Sequence, residues 1–105
     1  MSLLHANDAN FEDTVKSGLT LVDFWASWCG PCRMFGPIFE ATAGKHADVK
    51  FAKFEVDEVN RRTPAKFGIR SIPSVLAFKN GELIEVRTGL MDEDTLSDWI
   101  KELKG

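Results

Sequence analysis

The 105-residue chain has no tyrosine, two histidines and only two cysteines. Two cysteines cannot build a disulfide scaffold, and a bridge across two intervening residues would constrain the unfolded chain little. Stability is therefore a poor reason for the pair. A structural zinc site is short of donors: four ligands are needed, and His5 and His46 lie far from the cysteines in sequence. Basic stretches are also missing. Thirteen Lys and Arg stand against sixteen Asp and Glu, for a net charge of −3, which excludes an electrostatic footprint for nucleic acid. No apolar run reaches the length of a membrane span. The first eight residues, Met1 to Asp8, lack a basic region followed by an apolar one, so no secretory signal is visible and a cytoplasmic protein is expected.

No repeat, low-complexity segment or linker breaks the chain, and 44% of its residues are hydrophobic, enough for a core. One domain over residues 1–105 is expected. Asn7 or Asp8 can cap a short first helix carrying Phe11 and Val15, with Gly18 at its end. Leu19 to Ala26 is apolar on both faces except at Thr20 and Asp23, which reads as a central strand covered on both sides. A helix over Pro31 to Ala47 follows, with Phe35, Ile38, Phe39, Thr42 and His46 on one stripe. Pro31 is harmless in the first turn, whereas Pro37 lies inside and should kink the helix. Val49 to Val56 reads as a second core strand, and Val59 to Phe67 as a weak helix interrupted by Pro64. Asn80-Gly81 joins Ser74–Lys79 and Glu82–Thr88 in a hairpin. Asp92 can cap a last helix with Leu96, Trp99, Ile100 and Leu103 at i, i+3, i+4 and i+7. With a weak first strand, the order βαβαβαββα describes an α/β sandwich.

The chemistry concentrates at Trp28-Cys29-Gly30-Pro31-Cys32. Cys29 falls where a strand ends and a helix begins. Free N–H groups and the helix dipole there favour the thiolate, which is the attacking species. Cys32 lies one turn further in, more buried and within reach of the Cys29 sulfur. Gly30-Pro31 sets and stiffens that geometry. The donor count favours redox chemistry over metal binding. Asp23 is the second clue. An acid between Leu21-Val22 and Phe24-Trp25 should be buried, on the face of Leu21 and Trp25, with its pKa raised. It is a candidate proton acceptor for Cys32. The alternative is an acid tied up by local hydrogen bonds or a salt bridge to Lys53. Trp25 reads as partly packed and Trp28 as a cover for the active site. His46 receives no role.

With these residues in place, the chain resembles the thioredoxin family over nearly its whole length. Leu21 to Cys32 is similar to the family's active-site strand and loop. Gly68-Ile69-Arg70-Ser71-Ile72-Pro73-Ser74 resembles its substrate-binding loop with a cis-proline, and Gly89 matches its glycine before the last helix. The resemblance implies a thioredoxin fold: a central mixed five-stranded sheet of order 1-3-2-4-5 flanked by four helices. It implies Cys29 as nucleophile, Cys32 as resolving thiol and Asp23 as the buried acid, with Lys53 supporting proton transfer. Trp28, Ile72, Pro73 and Gly89 would form a shallow substrate surface. The implied activity is protein-disulfide reduction through a Cys29–Cys32 disulfide. No bound cofactor or metal is implied, and electrons would come from NADPH through a thioredoxin reductase. The implied partners are that reductase and disulfide-containing proteins, met by a monomer, with neither nucleic acid nor membrane. Met34-Phe35-Gly36 after Arg33 is a variant of the usual apolar–small pattern before Pro37, a departure that can change how the second helix packs. Arg61-Arg62-Thr63-Pro64 is unusual for the third helix. Two rival readings remain: an oxidant or isomerase of exported proteins, which Gly30-Pro31 argues against by resemblance, and a redox-gated binding subunit.

Overall fold

The computed structural model describes residues 3–105. Its elements run β1 (Leu4–Ala6), α1 (Phe11–Val15), β2 (Leu19–Trp25), α2 (Gly30–Ala43), β3 (Lys50–Glu55), α3 (Arg62–Lys66), β4 (Ser74–Lys79), β5 (Glu82–Thr88) and α4 (Glu93–Lys104). The strands form one sheet in the order β1-β3-β2-β4-β5. β3 lies parallel to β1 and β2, while β4 runs antiparallel to β2 and β5. This is the mixed sheet with four helices that the resemblance implies.

The central position of β2 explains its near-continuous apolar run. Leu21 packs with Phe35 and Phe39 of α2 and with Leu96, Trp99 and Ile100 of α4. Val22 and Phe24 face the other way, against Phe11 and Val15 of α1 and against Phe54 and Phe78 of neighbouring strands. Both faces are covered, so the alternation of a half-exposed strand disappears. Phe11 is the hub of the second face. Its ring centroid lies 5.3 to 6.0 Å from those of Phe24, Phe54, Phe67 and Phe78, the spacing of edge and tilted aromatic pairs.

The hairpin has the expected strand limits. Asn80 and Gly81 both take positive φ, 51° and 86°, as a two-residue turn of this hand requires. Asp92 caps α4 by accepting a 2.8 Å hydrogen bond from the Thr95 N–H.

Elsewhere the elements are shorter than expected, or capped differently. Helix α2 stops at Ala43 rather than Ala47, and the following turn carries His46 to Ser97 of α4, with Nε2 3.2 Å from the hydroxyl. Helix α3 begins at Arg62 rather than Val59 because Asp57 Oδ1 accepts from the N–H groups of Val59 and Asn60 and holds them in a turn. Pro64 then sits in the first turn of α3, where it interrupts nothing. Asp8 does not cap α1, which starts after Asn10. Its carboxylate instead accepts from the Arg62 and Thr63 N–H groups and the Thr63 hydroxyl, fastening the start of α3. Asn7 and Asn10 exchange backbone-to-side-chain hydrogen bonds across the turn before α1. Pro37 lies on the exposed side of α2, and the helix runs through it.

Candidate active site

Strand β2 ends at Trp25, and a tight turn delivers Cys29 to the start of α2. The Cys29 N–H donates to the Ala26 carbonyl at 3.2 Å, and the Arg33 guanidinium reaches back to the Ser27 carbonyl at 3.0 Å. Cys29 is itself the N-cap of α2, with extended backbone, and Gly30 and Pro31 open the first turn. The Cys32 N–H donates to Cys29 Sγ at 3.2 Å. A sulfur thus occupies the place that a Ser or Asp oxygen takes at ordinary helix starts. The field of a 14-residue helix favours negative charge on that sulfur.

Cys29 and Cys32 are joined in a disulfide, with Cα atoms 5.3 Å apart. Both are buried, Cys29 to 6% exposure and Cys32 to 2%. Ala26, Trp25 and Ile72 pack around them. The Ile72 carbonyl oxygen lies 3.8 Å from Cys29 Sγ; a disulfide sulfur carries no hydrogen, so this is a contact rather than a hydrogen bond. The Ile72–Pro73 peptide is cis. Gly89 donates its N–H to the Pro73 carbonyl at 2.8 Å with φ at +100°, where any side chain would be strained. The fold therefore draws Ile72, Pro73 and Gly89 to one rim beside Cys29. Trp28, the residue before Cys29, is 74% exposed. Leu90, the residue after Gly89, is half exposed.

Asp23 is completely buried, and neither carboxylate oxygen has a hydrogen-bond partner among the described residues. Burial pushes its pKa up to about 7; the Lys53 charge opposes that rise and the Glu40 charge adds to it. The alternative of an acid satisfied locally is therefore not what the structure contains. Lys53 is Asp23's neighbour across β2 and β3, but its ammonium bonds to Glu40 at 3.3 Å and lies 4.8 Å from the centroid of the Trp25 ring. No motif in the sequence singles out Glu40. Its one signal is position: it follows Gly36 by four residues on the helix that begins at Cys29. No group of three or more His, Cys, Asp or Glu among the described residues is arranged to hold a metal ion. No helix of the described residues is long and apolar enough to cross a membrane.

The chain as a whole is similar to known proteins. The thioredoxin family profile matches residues 2–102. The chain is 41% identical over 103 residues to a thioredoxin of Staphylococcus saprophyticus, covering 97% of this chain and 98% of that one. It is 43% identical over 103 residues to a thioredoxin of Haemophilus influenzae, covering 95% of each. A thioredoxin of Rickettsia bellii is 48% identical over 99 residues, covering 91% of this chain and 93% of its own. A disulfide at the N-terminus of α2, set in a sheet of this order and matched across nearly the full chain, places the chain in the thioredoxin family.

Proposed function

We propose that the residues of this thiol–disulfide oxidoreductase divide the work of protein-disulfide reduction as follows. The Cys29 thiolate attacks a substrate disulfide. A Cys29–substrate disulfide forms, and the other substrate sulfur leaves as a thiolate that takes up a proton. Cys32 passes its proton to Asp23, directly or through a water, and attacks Cys29 Sγ. The Cys29–Cys32 disulfide forms, and the second substrate sulfur leaves reduced. Two electrons pass from the dithiol to the substrate.

One observation carries this reading: the Cys32 N–H aimed at Cys29 Sγ across the first turn of α2. It stabilises the attacking sulfur and keeps the resolving residue one turn away. Asp23 supports the second step because a buried acid with a pKa near 7 can exchange a proton at working pH. Ile72, Pro73, Gly89 and Trp28 form the docking rim, where an extended substrate segment lies along the loop before β4. The chain acts as a monomeric domain. A thioredoxin reductase using NADPH returns Cys29–Cys32 to the dithiol in a reducing, cytoplasmic setting. Insulin reduction followed with a reductase and NADPH tests the cycle. Turnover that is lost on Cys29→Ser supports it, and turnover that persists in that variant overturns it.

A further inference from the structure

We propose that Gly36 and Glu40, one turn apart on α2, form a seat that holds the Lys53 ammonium away from Asp23. Both would act as positioning residues.

Lys53 is Asp23's register partner on β3, so the plain expectation is an ion pair between them. The structure shows none within 4.0 Å among the described residues. Lys53 Nζ instead lies 3.3 Å from Glu40 Oε2 and over the Trp25 ring, with its side chain only 15% exposed. Gly36 lies beside the ammonium. A Cβ there would stand 3.4 Å from Lys53 Nζ, at the near edge of ordinary van der Waals contact. Glycine is unfavourable inside a helix. At this position it brings the helix backbone close to the charged nitrogen.

The groups facing Asp23 are few. β3 supplies Lys53, α2 supplies Glu40, and the cysteines stand at the start of α2. On the other side, β4 supplies apolar Val75, and α4 adds Leu96, Trp99 and Ile100 to the core. The seat therefore controls the nearest positive charge. While Glu40 holds Lys53, burial dominates and Asp23 keeps its proton until near neutral pH. Once released, the ammonium can swing toward the unpartnered carboxylate and favour its charged form. The effect on rate rests on the reading of Asp23 as proton acceptor; the seat itself does not.

The test is a carboxyl 13C NMR titration of Asp23 in the oxidised protein, for wild type, Glu40→Gln, Lys53→Met and the double variant. Glu40→Gln lowers the Asp23 midpoint by about half a pH unit, the scale of a partly exposed ion pair. Lys53→Met raises it. With Lys53 absent, Glu40→Gln moves it by less than half as much. Gly36→Ala crowds the seat and displaces the midpoint; an unchanged midpoint removes Gly36 from the proposal. An unmoved midpoint in Glu40→Gln, or an equal shift with and without Lys53, overturns the seat. Resolution rates of the Cys29 mixed disulfide are then measured in the same variants. Midpoints that move without the pH profile of the rate following them leave the seat standing and overturn the acceptor role of Asp23.

Discussion

The Cys32 N–H points at Cys29 Sγ from 3.2 Å, so in the proposed division of roles the resolving residue also stabilises the attacking sulfur. The two thiols should consequently differ in reactivity. In reduced protein near neutral pH, Cys29 is alkylated much faster than Cys32, as read by mass spectrometry of iodoacetamide adducts. Cys32→Ser accumulates mixed disulfides, and Cys29→Ser forms none. Equal alkylation at the two positions would contradict the division of roles.

Asp23 should weaken the fold as pH rises. Its folded pKa, about 7, lies above the ordinary aspartate value of 3.8, so between these values the folded chain holds a proton that the unfolded chain has lost. Stability therefore falls from about pH 4 to pH 7 and the loss persists above. A shift of this size corresponds to about 4 kcal/mol. Denaturant melts of the oxidised protein keep thiol titration out of the measurement. Asp23→Ala removes the slope across that window and is more stable at pH 7, less the cost of the small cavity it opens.

Asp8 has the opposite sign. Burial raises its pKa, but the Thr63 hydroxyl, the N–H groups of Thr63 and Arg62 and the Arg62 charge outweigh it and hold the carboxyl below the usual value. Its contribution is fully present above about pH 4 and is lost as pH falls through the lowered folded value. Asp8→Ala costs about 1 kcal/mol at pH 7, the worth of a helix N-cap, and the loss shrinks in acid. Paired melts at pH 7 and pH 2.5 read both effects.

Trp28 is 74% exposed. Trp28→Ala leaves stability within about 0.5 kcal/mol. It raises KM for a protein disulfide while leaving the reaction with a small aromatic disulfide nearly unchanged. A drop in stability of several kcal/mol would show that Trp28 is structural.

Most of the fold was legible because its signals were local. The Asn80-Gly81 turn, the Asp92 cap and the apolar stripe of α4 each rest on contiguous residues, and those elements fall where expected. The short helices depend on remote partners. The start of α3 is shaped by the local Asp57 turn but fastened by Asp8, 54 residues before Arg62, and no spacing within residues 57–67 announces that second partner. The site divides the same way. The cysteine pair and the buried acid announce themselves, the one by spacing and the other by an acid in an apolar strand. The seat of Lys53 does not, because Gly36 and Glu40 gain meaning only when α2 lies across β3.

The most direct test of the account follows the second half-reaction alone. A mixed disulfide is preformed between Cys29 and a chromogenic thiol, and release of that thiol is followed by stopped flow across pH 5 to 9, in wild type and Asp23→Asn. The account predicts a wild-type rate that rises with a midpoint near 7. In Asp23→Asn that midpoint is absent, and release at pH 7 is slower by about a hundredfold, the scale of a lost general base. Equal rates and an identical pH profile in the two proteins would contradict it.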